Sequence, residues 1–150
     1  MIAWSAHSFE GISNTQLHDL LKLRSDVFVV EQQCIYPDLD GQDIGAEHIM
    51  GHNEAERLVA YARILPAVNS DPPRIGRVVV CPEHRGKGLG HAIMRFVLGK
   101  LMADNGSCNS MLSAQCHLES FYATHGYERC GPDHDLDGIP HVDMVFSRKA

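Results

Sequence analysis

Apolar and polar positions along the chain change period several times, and each change marks an element. Leu17, Leu20, Leu21 and Phe28 recur at helical spacing. They follow Ser13 and Asn14, whose side chains can accept from the unpaired amides of a helix start. "RLVAYARIL" (Arg57–Leu65) and "IGRVVV" (Ile75–Val80) are rich in β-branched and aromatic residues and read as strands. The turn-rich segment "PAVNSDPPR" joins them. In "IGRVVV" Arg77 is expected to alternate regularly against Val78 and Val80. Met1–Ser5 and His48–His52 read as two further short strands. Leu89, Ile93, Phe96, Val97 and Leu101 then form one apolar stripe, a helix that "DNG" (Asp104–Gly106) ends. "SMLSAQC" reads as a buried strand, "LESFYATHGY" as a short helix closed by Gly126, and "HVDMVF" (His141–Phe146) as the last strand. A helix crossing over between "IGRVVV" and "SMLSAQC" makes that pair parallel. The fold class is therefore α/β, with a mixed sheet flanked by helices.

Bulk properties narrow the function classes. A chain of 150 residues with 44% apolar and 21% charged residues suits one domain spanning 1–150. No apolar run has the length of a membrane span, and "MIAWSAHSFEGIS" has no basic start before an apolar stretch, so neither a membrane partner nor a signal peptide is expected. Five cysteines with no Cys-x-x-Cys argue against a disulfide framework and a zinc site, and for a cytoplasmic location. A net charge of −6 argues against nucleic acid as a partner. A polyanionic ligand would need a local basic island, and His84–Arg85–Gly86–Lys87 is one.

That island lies in "VVVCPEHRGKGLG" (Val78–Gly90), where a strand meets a glycine loop and then a helix start. Orphan amides at a helix N-terminus, with about half a positive charge from the macrodipole, suit a phosphate. Gly86, Gly88 and Gly90 keep side chains off those donors, and Arg85 and Lys87 bring charge. The spacing fails the P-loop pattern, because Cys81 stands where the first glycine should be and Gly88 where Ser or Thr should be. It fails the dinucleotide pattern too, with His91 or Ile93 at the last glycine position.

Arg85-x-x-Gly88-x-Gly90 does match the pyrophosphate loop of the GNAT N-acetyltransferases, and "AQCHLESFYATHGYE" (Ala114–Glu128) resembles that family's second motif. "LRSDVFVVEQQCIYPDLDGQD" (Leu23–Asp43), "AYARIL" and "DGIPHVDM" (Asp137–Met144) extend the likeness to most of the chain and place it with the ElaA-like branch. The resemblance implies a sheet splayed between its fourth and fifth strands and acetyl transfer from acetyl-CoA to an amine, with no metal. Val78 and Val80 would meet the pantetheine arm through their backbone. Arg85, Gly86, Lys87, Gly88, Leu89 and Gly90 would hold the pyrophosphate, and Gln115 stands where an asparagine often bonds pantetheine. Tyr122 takes the position of the tyrosine that protonates the departing thiolate. A backbone N–H near Val80 would serve the oxyanion.

The base that deprotonates the amine stays open among Glu31, His48, His141 and a water chain. Asp38, Asp40 and Asp43 are expected to draw in a cationic acceptor, the alternative being a solvated loop. The acceptor would be a small-molecule or peptide amine, and a homodimer is compatible with the sequence. "DHDLDG" (Asp133–Gly138) opens like a calcium loop but has Met144 at the twelfth position, where glutamate belongs. Cys81 reads as a small buried hydrophobe rather than a nucleophile. The rival functions are a noncatalytic acyl-CoA sensor and a module for another phosphorylated ligand.

Overall fold

In the computed structural model, which describes residues 1–147, strand β1 (Ala3–Ser8) leads into helix α1 (Asn14–Arg24). Ser13 starts that helix with reciprocal bonds: its Oγ accepts from Gln16 N–H at 3.1 Å, and Gln16 Oε1 accepts from Ser13 N–H at 2.9 Å. The helix does not stop at Arg24. It widens into a π-helical stretch over Ser25–Glu31, a rare form that is frequent at functional sites. Next come β2 (Glu47–His52), β3 (Leu58–Leu65), β4 (Arg74–Val80), α2 (Leu89–Asn105), β5 (Met111–Gln115), α3 (Glu119–Ala123), β6 (Tyr127–Arg129), β7 (His134–Leu136) and β8 (Ile139–Phe146). The first strand runs later than Met1–Ser5, because its pairing with β2 extends from Ala3 opposite His52 to Ser8 opposite Glu47. The calcium-like segment Asp133–Gly138 becomes β7 and the turn into β8.

The strands form one sheet in the order β1-β2-β3-β4-β5-β8-β6, with β7 pairing to β8. Every neighbouring pair is antiparallel except β4 and β5, which the α2 crossover makes parallel. β3 is buried on both faces, as period-two alternation dictates for a central strand. Ala60, Ala62 and Ile64 face α2, meeting Ile93, Met94, Val97 and Leu101. Val59 and Tyr61 face α1, meeting Leu20, Leu23 and Val27.

At the sheet edge one glycine is dictated by a neighbour. Trp4 on β1 lies across Gly51 on β2, and a Cβ there would stand 2.5 Å from the indole. Trp4 is fixed from its other side by Phe96 of α2, ring centroids 6.2 Å apart. Gly51→Ala is expected to cost about 1–3 kcal/mol through overpacking, read as a lower urea midpoint with an unchanged slope. An unchanged midpoint would mean that Trp4 is free to move aside.

Candidate active site

The site begins where two strands separate. β4 and β5 pair only at their N-terminal ends, Arg74 opposite Met111, with Met111 N–H donating to Pro73 C=O at 2.9 Å. Beyond that point they part, as expected. β4 is also not a regular strand. Tyr61 pairs with Val79 but Arg63 pairs with Gly76, so β4 carries one extra residue there, and Arg77 adopts φ 53°. This bulge breaks the expected alternation of Arg77 with its neighbours and bends the strand. The main chain of Val80 can be oriented from one bond. Cys81 N–H donates to Val59 C=O at 2.8 Å, so Val59 and Cys81 form a hydrogen-bonded antiparallel pair. The adjacent pair, Ala60 and Val80, is then of the other kind, with N–H and C=O directed away from each other. Val80 therefore presents both groups to the gap.

Just past that edge the glycine loop precedes α2. None of the amides of Gly86, Lys87, Gly88, Leu89 and Gly90 donates a hydrogen bond to any described residue. Gly86 and Gly88 both have φ 79°, and a Cβ on either would meet nothing within 4 Å. Gly90 differs: a Cβ there would lie 3.3 Å from Phe121 Cζ, so its bareness lets α3 pack against α2. Leu89 packs its side chain into the core on the α1 side. Lys87 has no ion pair among the described residues, whereas Arg85 Nη1 donates to Glu31 Oε2 at 2.8 Å and Arg85 Nε to Val80 C=O at 3.2 Å.

Between β4 and β5 lies a cleft of about 550 Å³. Val78, Gln115, Tyr122 and His141 line it; Glu31 and His48 do not. Tyr122, on α3, is buried and makes no hydrogen bond among the described residues. Phe121 and Tyr127 stand edge-on to its ring at 5.0 and 6.3 Å. Burial, and to a lesser degree Tyr127, pushes its pKa well above that of an ordinary phenol. His141 Nδ1 lies 2.7 Å from Ile139 C=O. A carbonyl only accepts, so Nδ1 carries a proton, and in the neutral ring the lone pair is on Nε2. Gln115 Nε2 donates to Gln32 Oε1 at 3.3 Å, joining β5 to the residue after the π-helical stretch.

His48 is fully buried, on the sheet face it shares with the opposed Arg63. Nε2–H donates to Asp43 C=O at 2.8 Å and Nδ1 accepts from the Tyr61 hydroxyl at 2.6 Å. Burial holds its pKa below the usual histidine value. It is a structural linker, which removes it as a base. Cys81 is buried as expected; its thiol donates to Glu83 Oε2 at 3.0 Å, and burial pushes its pKa up. Arg57 Nη2 donates to both groups, at 3.2 Å to Cys81 Sγ and 2.7 Å to Glu83 Oε2.

The acidic loop is neither a solvated tract nor a lure for cations. Its three aspartates are bonded to three arginines. The guanidinium of Arg24, 0% exposed, reaches Asp38 Oδ2 at 3.0 Å and Asp43 Oδ1 at 2.7 Å. Arg63 reaches Asp40 at 2.6 Å and Asp43 at 2.9 Å. From the bulge, Arg77 reaches Asp38 at 2.8 Å. Hydrogen bonds from Arg63 hold the Asp40 carboxyl far below the usual range. The network fastens the loop after the π-helical stretch onto β3 and β4, where it walls the cleft.

A sheet parted between two parallel strands, with bare amides at the head of the crossover helix, defines the acyltransferase class. The chain belongs to the GNAT acetyltransferase family, whose domain description, "Acetyltransferase (GNAT) domain", matches residues 18–148. Within that family it is similar to ElaA of Escherichia coli, at 40% identity over 148 residues, 97% of this chain and 96% of ElaA. The crystal structure of E. coli ElaA superposes with a TM-score of 0.92 over 98% of this chain and all of that one, at 38% identity. A Pseudomonas aeruginosa protein described as an acyl-CoA N-acyltransferase gives the same TM-score, at 34% identity and the same coverage.

Several cleft residues carried no sign of that role in the sequence. Phe28 and Tyr36 lie in the Leu23–Asp43 segment that resembles the family, but nothing there assigns them to the cleft, and Leu136, Asp137 and Ile139 reach it because β7 and β8 form a hairpin. The pairing of Arg24, Arg63 and Arg77 with the loop joins residues up to 39 positions apart.

Asp43 gives the network a pH signature. Burial pushes its pKa up, but hydrogen bonds from Arg24 and Arg63 outweigh that and leave it below the ordinary value. An unfolded aspartate titrates near about 3.9. The stabilisation is therefore complete above roughly pH 4 and is lost as pH falls through the lower folded value. Asp43→Asn is expected to cost about 2 kcal/mol at neutral pH, less than a fully sealed pair because the loop reaches solvent. It should also flatten the acid limb of stability against pH in urea titrations. Parallel acid limbs for the two proteins would remove Asp43 as a source of that limb.

Proposed function

We propose that the protein transfers an acetyl group from acetyl-CoA to a primary amine by direct attack. The observation that carries this reading is two sets of main-chain groups left without protein partners. One is the amides of Gly86–Gly90 and the other is the gap-facing edge of Val80, with Tyr122 and His141 in the adjoining cleft. The loop amides, the α2 N-terminus and Lys87 suit a pyrophosphate. The β4 edge suits the amide groups of pantetheine, by the hydrogen bonding of an added strand. Arg85 would exchange Glu31 for phosphate oxygens.

His141 is assigned as the base. Its ring lines the cleft, and in the neutral ring Nε2 has the lone pair, whereas the Glu31 carboxylate is bonded to Arg85 outside the cleft. An amine of pKa about 10.4 must lose a proton before it attacks, and His141 Nε2 takes it. The new C–N bond converts the thioester carbonyl into an oxyanion, which the Val80 N–H stabilises. When the C–S bond breaks, Tyr122 gives its hydroxyl proton to the leaving sulfur, and the extra proton on the newly bonded nitrogen returns to the Tyr122 oxygen. The products are the amide and the free thiol.

Acetyl-CoA should raise the thermal midpoint at micromolar concentrations while ATP and NAD do not; equal shifts from all three would leave only a generic phosphate site. With a panel of amines, thiol release is expected. Tyr122→Phe should lower kcat by about tenfold or more, and His141→Gln should lower kcat/KM by about a hundredfold and remove its acid limb, both with acetyl-CoA affinity kept. An unchanged kcat in Tyr122→Phe, or an unchanged pH profile in His141→Gln, would remove that assignment. Acetyl-CoA binding without thiol release for any amine would favour a sensor.

A further inference from the structure

The charges at the closed end of the cleft do not balance. Arg24, Arg63 and Arg77 are matched by Asp38, Asp40 and Asp43. Arg74, at the point where β4 and β5 meet, has no such match. Its Nη2 touches only Met111 Sδ, at 3.6 Å, and it lines the cleft without any ion pair among the described residues. The carboxylate of Asp143 feels the charge of Arg74, but it lies two strands away and is bonded to His134 at 3.1 Å. Asp137 is the one acidic cleft residue outside the network, and it stands exposed on the turn between β7 and β8.

The floor beside Arg74 is built for a ligand group. Arg74 pairs with Leu65, and Gly76 pairs with Arg63. Directly opposed residues share a face, so Arg63, Arg74 and Gly76 lie on one side of the sheet. Gly76 adds no side chain, and a Cβ there would meet nothing within 4 Å. Arg63 is 3% exposed, and its Nε–H, sealed from solvent, has no hydrogen-bond partner. The result is a bare patch of β4 beside an unmatched guanidinium.

We infer that the acceptor is an amine that also carries a carboxylate, such as an amino acid, and that Arg74 binds the carboxylate over Gly76. The inference rests on the acetyl-transfer reading above and reverses the charge expected of the acceptor site: the acidic loop is consumed by its arginines, and the remaining selector is a cation. A guanidinium fork can bond both oxygens of a carboxylate at once.

The test uses matched amines, each amino acid beside its own amide, in a thiol-release assay with acetyl-CoA. The acid of each pair should have a kcat/KM about tenfold or more above that of the amide. Arg74→Gln should bring the ratio close to one, Arg74→Lys should keep part of it, and both should bind acetyl-CoA as the parent does, which also reports that they fold. The inference is overturned if amides are used as well as acids, or if Arg74→Gln leaves the ratio unchanged. Should no amine turn over, the catalytic reading fails but the site is still tested, by thermal shift of the CoA-saturated protein. Acids raising the midpoint above amides, with the difference lost in Arg74→Gln, supports the carboxylate site; equal shifts overturn it.

Discussion

A strand edge left open inside a sheet is the constraint on which this molecule depends. A parallel neighbour normally satisfies every N–H and C=O along the shared edge, yet β5 meets β4 only at Arg74. Main-chain groups left without partners in a dry interior cost about 1–3 kcal/mol each, so the gap must be filled by water or by something that mimics a strand. Two features keep it from closing. The bulge at Arg77 bends β4, and β5 is held from its far side by an antiparallel pairing with β8 that runs from Met111 to Gln115. The parted edge therefore belongs to the fold, and a ligand does not have to create it.

The arginine–aspartate network serves that same opening. Desolvating three guanidiniums is expensive, and an apolar core of equal volume would often be more stable. The network does what an apolar core could not: it attaches an otherwise irregular loop to β3 and β4 at defined points. Arg77 illustrates the coupling. The left-handed conformation that creates the bulge also carries its side chain to Asp38, so strain of order 1–3 kcal/mol in the strand is offset by an ion pair in the loop. Opening of the cleft and the shape of its wall are thus two consequences of one residue.

The sequence exposed the parts of this design that depend on local patterning. The capped helix start at Ser13, the two-faced strand Leu58–Leu65, the crossover helix and the glycine loop follow from residues near one another. So do Tyr122 and Gln115, placed by a motif at a fixed distance from that loop. What stayed hidden depends on chain crossing. Asp38, Asp40 and Asp43 read as a lure for a cationic acceptor, or else as a solvated loop, because their partners lie 14 to 39 positions away. His48 read as a candidate base, although it is buried and its ring is held between Tyr61 and Asp43. Arg77 looked like one member of a regular alternation, since nothing in "IGRVVV" marks a bulge. Arg74 looked like the end of a turn, and its meaning appears only once the other arginines are seen to be spent.

Burial of Tyr122 at first sight works against its proposed task. A phenol whose pKa is raised gives up its proton less readily, and each unit costs 1.36 kcal/mol in the transfer. The relevant quantity, however, is the difference between phenol and thiol in the same cavity. Desolvation disfavours any anion, so a thiolate expelled beside Tyr122 is raised in energy as well, above the roughly 8.5 of a thiol in water. Edge-on Phe121 and Tyr127 supply no donor that would stabilise either anion. Their enclosure keeps Tyr122 protonated, and in the proposed reaction transfer of that proton would neutralise the departing sulfur.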